Sequence, residues 1–188
     1  MFKHLSKPLK YRMPSHRSPD LARIRKLPSL DSIFQISDPK LRLYNFKQFF
    51  WCKNFELEIP LTAAEKKLDD TFTLFSAIPR EGWTSAYQDS LNYPSALGVI
   101  EVFRFCGCNE AADAAAEALE LFYNGRTDLH NNEERNEAGI RGFRHPTERR
   151  RFYALGDIVE KFGQSEVYYD LLKWPDDHRA EFEDFPRP

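Results

Sequence analysis

The strongest constraint on the fold is a turn at Gly107 that joins two helical segments. Pro94 opens the first segment, and Gly107 is placed to end it, with apolar residues at helical spacing between them. Asn109 is a candidate cap for an Ala-rich second segment that runs to Tyr123 and closes at Asn124-Gly125. Because this connection is so short, the pattern predicts an antiparallel helical hairpin.

Helix signals also precede the hairpin. Asp38-Pro39 predicts a helix over Leu41–Trp51, because an acidic cap and a proline at the first position favour a helix start. Its apolar residues at helical spacing are Leu41, Leu43, Tyr44, Phe46 and Phe50, although a run of aromatic residues is also compatible with a strand. Thr62 and Glu65 form a capping-box pattern for the next helix, which we expect to end at Pro79.

After the hairpin, residues 126–145 predict a long loop, because Asn, Gly and charged residues dominate them. Thr147 is placed to cap a fifth helix, and Gly163 to stop it. The predicted buried stripe of this helix is Phe152, Leu155, Val159 and Phe162. Ser165 begins a short sixth helix. The chain therefore predicts an all-α fold of about six helices in a single compact domain.

The N-terminal segment differs from the rest in charge and in proline content. Residues 1–53 carry twelve Lys or Arg against three Asp, a net charge of +9, whereas residues 54–188 carry −11. Four prolines fall within the first 28 residues and interrupt any long helix. We therefore predict a flexible basic arm over residues 1–37 and a helical domain over 38–188.

Composition narrows the class of protein further. Apolar runs fall far short of the roughly 20 residues that a membrane span needs, and the N-terminus lacks the apolar core of a secretory signal. Three cysteines are too few for a disulfide scaffold, which favours a reducing compartment. These features predict a cytoplasmic protein that makes no contact with a membrane.

Signals for catalysis or metal binding are weak. Cys106-Gly107-Cys108 has the wrong spacing for a zinc knuckle, and it resembles a helix end with structural cysteines. The five histidines are scattered, and no phosphate-loop, nucleophile-elbow or dinucleotide motif is present in the sequence. We predict a protein that is not an enzyme and uses no cofactor and no metal. The alternative is an enzyme whose active site matches none of these motifs.

The Ala-rich helix carries a regular row of carboxylates. Glu110, Asp113, Glu117 and Glu120 follow one another at i, i+3, i+7 and i+10, which places them on one helix face. Further acids in the C-terminal tail are Asp176, Asp177, Glu181 and Glu183. Such a row can present negative charge as a DNA backbone does. The alternative is the ordinary solvated face of an amphipathic helix.

Two basic regions give a different interpretation. Five arginines fall within Arg141–Arg151, and the N-terminal arm carries eight more Lys or Arg. Either region could bind phosphates, which makes a nucleic-acid-binding protein the alternative function. Arg149–Arg151 lie in the first turns of a predicted helix, where the helix dipole disfavours cations. This position favours pairing of these arginines with carboxylates of the same chain.

Six segments between Leu61 and Phe185 carry a resemblance to a known family: Leu61–Phe75, Gly82–Tyr87, Pro94–Cys108, Ala111–Phe122, Leu155–Val159 and Ala180–Phe182. Together they resemble the helical domain of the DNA-mimic-protein-19 family. The resemblance implies a non-catalytic regulator whose acidic surface engages a basic, DNA-binding protein. The sequence leaves open whether the acidic row faces solvent or a second copy of the chain in a homodimer.

Overall fold

The computed structural model describes residues 20–126, 132–141, 143 and 145–186. All regular secondary structure in this part of the chain is helical, with nine α-helices and no strand. The helices are α1 (Leu21–Lys26), α2 (Leu30–Phe34), α3 (Pro39–Trp51), α4 (Ala63–Ser85), α5 (Tyr93–Phe105), α6 (Asn109–Tyr123), α7 (Asn132–Arg141), α8 (Pro146–Gly163) and α9 (Lys173–Asp177). Two π-helical turns (Cys52–Glu56, Ala86–Ser90) and two 3₁₀ segments (Glu166–Leu172, Arg179–Glu181) join them. The all-α prediction is confirmed, but the predicted count of six helices is too low.

The central element is α4, which packs against α3, α5, α8 and α9. Its start is the predicted capping box: the Thr62 hydroxyl accepts the Glu65 N–H at 3.3 Å, and Glu65 Oε2 accepts the Thr62 N–H at 2.9 Å. Leu68 and Phe72 are buried on its inner face. The start of α4 is therefore fixed by local hydrogen bonds that the sequence pattern reveals.

The predicted end of this helix at Pro79 is wrong. α4 continues to Ser85 and passes into the π-helical turn Ala86–Ser90. A proline inside a helix costs about 3 kcal/mol, and burying one large apolar side chain returns roughly 1.5–3 kcal/mol. Ile78 and Tyr87 are both buried, on either side of the proline. Tertiary packing therefore outweighs the helix-breaking residue.

The hairpin of α5 and α6 is confirmed. Gly107 has φ +79°, its N–H donates to the Arg104 carbonyl at 3.1 Å, and the Cys108 N–H donates to the Phe103 carbonyl at 2.8 Å. This pair of bonds is a Schellman motif, which favours glycine at the left-handed position. The predicted cap is one residue off, because Asn109 is the first helical residue and Cys108 occupies the cap.

The arm predicted over residues 1–37 is too long. Residues 1–19 lie outside the described part, but α1 and α2 belong to the domain, with Ile24 and Ile33 completely buried. Asp20 and Ser29 cap these helices by accepting the N–H groups of Arg23 and Ser32. Pro28 therefore separates two short helices that pack on the domain.

The predicted loop over residues 126–145 contains α7, whose Arg135 is buried. Glu133 and Glu134 in the first turn of α7 favour the helix, because carboxylates interact well with the N-terminal end of its dipole. Residues 127–131, 142 and 144 of this stretch lie outside the described part. The charged composition of residues 126–145 therefore predicted a loop where the structure has a helix.

The fifth predicted helix is α8, and its cap lies at His145, two residues before the predicted Thr147. Pro146 takes the first helical position, which suits a residue without an N–H. Phe152, Leu155 and Val159 are buried as predicted, whereas Phe162 is only partly buried. The predicted stop at Gly163 is confirmed.

The C-terminal segment closes the domain by packing back over α3 and α4. Trp174 donates its indole N–H to the Ala64 carbonyl at 3.1 Å. Phe182 and Phe185 are buried against the aromatic side of α3, and the rings of Phe49 and Phe185 lie 4.8 Å apart. Residues near both ends of the described chain thus share one core. No helix of the described residues combines the length and the apolar character that membrane crossing needs.

Candidate functional site

The acidic row predicted on the Ala-rich helix lies on the outer face of α6. Glu110, Asp113 and Glu120 are exposed, and Glu117 is partly buried. The inner face carries Ala111, Ala115, Ala118, Leu119 and Phe122, all of them buried. The helix therefore presents four carboxylates along one side, as its spacing predicts.

Glu117 forms the tightest contact of this row, with Arg151 of α8. Nε and Nη2 of the Arg151 guanidinium donate to the two carboxylate oxygens of Glu117, each at 2.6 Å. These hydrogen bonds lower the pKa of Glu117 and raise the pKa of Arg151. The pairing of an arginine in the first turns of α8 with a carboxylate of the same chain is therefore confirmed for Arg151.

The other three carboxylates of α6 have weaker contacts or none. Asp113 pairs with Arg104 of α5 at 3.2 Å, and the Tyr93 hydroxyl lies 3.5 Å from a Glu120 carboxylate oxygen. The Glu110 side chain has no ion pair within the described residues. Since two of the four carboxylates are matched by arginines, the row carries a local charge of −2, half of what its sequence suggests.

A groove of about 440 Å³ adjoins Glu110, between the start of α6 and the end of α8. Lys161 and Phe162 of α8 line it, together with Cys108. Burial raises the pKa of Cys108 to about 11 and that of Cys106 to about 12. Both thiols are therefore protonated at neutral pH, so they are poor nucleophiles.

The acids of the C-terminal tail belong to a different contact network. Asp176 pairs with Arg42 of α3, and the backbone of Glu183 is held by Lys53 and Glu65. The remaining tail acids of the predicted site, Asp177 and Glu181, are exposed. The α6 acids instead contact α5 and α8. Among the described residues, these contacts do not join the two acidic sets, which the predicted site combined into one surface.

The basic regions of the alternative function are only partly described. In addition to Arg151, the Arg149 guanidinium lies over the Tyr153 ring at 5.8 Å, and Arg150 is exposed. The side chain of Arg141, Arg144 and the first nineteen residues of the basic arm lie outside the described part. Within the arm, Arg23 donates to Gln48 of α3. The described arginines of α8 thus mostly contact their own domain.

Sequence reasoning missed an apolar surface on α3. Leu41 and Tyr44 are among the apolar residues whose helical spacing predicts this helix, but both are exposed, as are Trp51 and Phe55. The signal was available in the sequence, because apolar residues of α3 recur on two opposite faces. A surface helix with a single apolar face would not show this pattern.

Within the residues that the structure describes, no group of His, Cys, Asp and Glu could hold a metal ion. No protein-family model matches the sequence, and no curated protein or solved structure matches it either. The resemblance to the DNA-mimic-protein-19 family therefore stays a prediction.

Proposed function

We propose that this chain is a non-catalytic binding protein whose acidic α6 surface engages a basic, DNA-binding protein. The observation that carries the proposal is the row of four carboxylates along the outer face of α6. The all-helical fold and the α5–α6 hairpin support it, because the resemblance to the DNA mimics implies the same elements. The partner is a regulator that normally holds phosphates through Lys and Arg.

The spacing of the carboxylates suits a partner that binds DNA. Ten residues separate Glu110 from Glu120, so the row extends over about 15 Å at 1.5 Å per residue. One strand of DNA carries a phosphate about every 3.4 Å along its axis, which gives four or five over the same length. The α6 row reaches this charge density only when Arg104 and Arg151 are displaced.

Displacement of these two arginines is feasible because both ion pairs lie at the surface. The side chains of Arg104 and Asp113 are more than half exposed, and those of Arg151 and Glu117 are about half exposed. Exposed ion pairs contribute little to stability, since water competes for both charges. Arginines of a partner can therefore take the places of Arg104 and Arg151 on the same carboxylates.

The proposal is tested by the binding of a fluorescein-labelled arginine-rich peptide at low and physiological ionic strength. The triple variant Glu110→Gln, Asp113→Asn, Glu120→Gln should bind the peptide about tenfold more weakly than the native chain. The matched control is Asp157→Asn, Glu160→Gln, Glu166→Gln, which changes the net charge equally on other surfaces. Equal loss in both triple variants would contradict a dedicated acidic surface.

The variants Arg104→Gln and Arg151→Gln separate the proposal from direct nucleic-acid binding. Loss of either arginine should strengthen binding of the arginine-rich peptide, because a carboxylate is released. If the arginines instead bind phosphates, Arg151→Gln should weaken binding of a DNA duplex and leave the peptide unaffected.

A salt titration with duplex DNA tests the basic arm. The deletion should remove residues 1–19 only, since Asp20 caps α1 and Ile24 belongs to the core. Steep salt-dependent binding by the full chain, lost in the deletion variant, would identify the N-terminal segment as the functional site and contradict mimicry.

A further inference from the structure

Helix α3 and the π-helical turn after it carry apolar side chains on two opposite faces. The inner face is buried through Leu43, Phe46, Phe49 and Phe50. The outer face carries four large exposed side chains: Leu41 (50% exposed), Tyr44 (58%), Trp51 (46%) and Phe55 (61%). Their separations of three, seven and four residues keep them on one side of the helix. We call these four residues the α3 stripe.

The α3 stripe is a continuous surface at its C-terminal end, where the Trp51 and Phe55 rings lie 4.7 Å apart. A helix at the surface of a domain normally carries polar residues on its outer face, and a helix that is apolar on all sides is covered on all sides. The core covers the inner face of α3, and on the outer face Arg23 of α1 donates to Gln48. The stripe therefore has the composition of a surface that another molecule covers.

The charges at the two ends of the stripe show which molecule fits. Lys40 lies at the N-terminal end and Glu56 at the C-terminal end, and each is eight residues from Gln48. The Lys40 side chain is exposed and forms no ion pair with any residue in the described ranges. Glu56 accepts the Asp20 N–H at 3.2 Å through one oxygen, Oε2. The stripe thus has a basic end and an acidic end at equal distances from its centre.

We propose that the α3 stripe is the interface of a two-fold symmetric homodimer. With a two-fold axis at Gln48, α3 of one protomer runs antiparallel to α3 of its partner. Lys40 then faces Glu56 of the partner subunit, and Leu41 faces Phe55 of the partner subunit. Each contact occurs twice, as an isologous interface requires. This interface is separate from the acidic surface of α6 and leaves that surface free.

The area of the stripe sets the strength of the dimer. Each large side chain exposes roughly 100 Å², so the stripe offers roughly 400 Å² per protomer. A standard specific interface buries about 800 Å² per partner, so the stripe supplies about half of one. The dimer is therefore weak, with a dissociation constant of roughly 10 μM or more.

Sedimentation equilibrium of the full chain over a concentration series tests the proposal. The average mass should rise above the 22.1 kDa of one chain as the concentration increases. Trp51→Lys should weaken association at least about thirtyfold, because large aromatic residues dominate binding energy at interfaces. The matched control is Tyr153→Lys, which alters a similarly exposed aromatic on α8 and should leave association unchanged.

A charge exchange tests the antiparallel two-fold arrangement. Lys40→Glu and Glu56→Lys should each weaken association about fivefold, since each variant opposes like charges twice in its own dimer. An equimolar mixture of the two variants should regain native association, because both pairs are opposite in charge across the mixed dimer. Circular dichroism checks that each variant keeps its helical content.

Three results would overturn the homodimer. The first is a full chain that gains no mass at any concentration, the second is equal association of Trp51→Lys and Tyr153→Lys, and the third is a mixture of charge variants that does not regain association. Binding of monomeric chain to phosphatidylcholine–phosphatidylserine vesicles, lost in Trp51→Lys, would assign the stripe to a lipid surface and equally overturn the proposal.

Discussion

At the scale of single residues, the most consequential contact is an ion pair inside the core. Lys53 and Glu65 are both almost completely buried, and Lys53 Nζ lies 2.9 and 2.7 Å from the two Glu65 oxygens. Lys53 also donates to the Glu183 carbonyl at 2.8 Å, and Glu65 accepts the N–H groups of Thr62 and Glu183. The pair thus has hydrogen-bond partners at the residue before α4 and in the C-terminal segment.

Replacing one member of this pair should be severely destabilising. Lys53→Met leaves the Glu65 carboxylate buried without its counter-charge, which costs about 3–5 kcal/mol of unfolding free energy. Urea denaturation followed by circular dichroism measures the change. The control is Lys161→Met at an exposed position, and a similar small loss in both variants would show that Glu65 is solvated.

Asp69 should make the stability of the protein depend on pH. Burial, and after it the neighbouring Asp70, raise the pKa of Asp69 to about 6 against the lowering effect of Lys66. The pKa in the folded state exceeds the value of about 3.9 in the unfolded chain, so the stabilising contribution is complete below pH 4. It is lost as the pH rises through 6, which amounts to about 3 kcal/mol by pH 7.

The variant Asp69→Asn removes this titration. Its free energy of unfolding relative to the native chain should increase between pH 4 and pH 7, as measured by urea denaturation at several pH values. Asp157→Asn on the exposed side of α8 should show no such trend. Parallel curves for Asp69→Asn and the native chain would contradict the assignment.

At the scale of helices, sequence motifs correctly predicted those helix ends that hydrogen bonds between nearby residues determine. The capping box of Thr62 and Glu65 and the Schellman turn at Gly107 were visible in the sequence, because these motifs need particular residue types at fixed offsets. The continuation of α4 through Pro79 was not visible, because burial on both sides of the proline decides it. Helix α7 was missed for a related reason, since its buried Arg135 depends on packing.

The same distinction applies to the candidate site. The position of the carboxylates on the outer face of α6 follows from helical spacing, so the sequence predicted it. The pairing of Glu117 with Arg151 was foreseen only as a general compensation of α8 arginines, because the partner depends on how α6 and α8 pack. The exposure of Leu41 and Tyr44 was not predicted, since sequence alone cannot say which of two apolar faces meets the core.

A test at the helix scale concerns the approach of α8 to α4. A Cβ atom at Gly163 would lie 2.8 Å from the Phe75 ring, and this ring is held by Phe103, Phe162 and Tyr168. Gly163→Ala should therefore destabilise the protein by about 1–3 kcal/mol, as overpacking does. Thermal or urea unfolding provides the measurement.

The chain offers a matched control for this glycine. A Cβ at Gly98 in α5 would lie 3.0 Å from Cγ of Lys67, a single aliphatic chain that needs to shift less than the ring of Phe75 does. Gly98→Ala should be neutral or stabilising by up to about 1 kcal/mol, because alanine favours a helix interior over glycine. Destabilisation of both variants to the same extent would exclude a specific clash with Phe75.

At the scale of the whole molecule, the two ends of the described chain are built into one core. The Leu30 N–H donates to Asp184 at 3.2 Å, and Arg179 pairs with Asp31 at 2.9 Å. The Phe182 ring packs within about 6 Å of the rings of Phe34, Phe46 and Phe50, measured between centroids. The short helices near the N-terminus therefore depend on the C-terminal segment for their burial.

This arrangement predicts that α1 and α2 unfold together with the rest of the domain. Phe182→Ala should lower the unfolding free energy by about 3–5 kcal/mol, the usual cost of deleting a buried aromatic ring. Because the loss acts on a single cooperative unit, hydrogen exchange of core amides should accelerate equally in α2, α3 and α6. Phe105→Ala is the control, since Phe105 is 44% exposed and its loss should have a smaller effect. Faster exchange confined to α1 and α2 would instead show that the N-terminal helices form a separate, weakly attached unit, close to the independent arm that the sequence predicted.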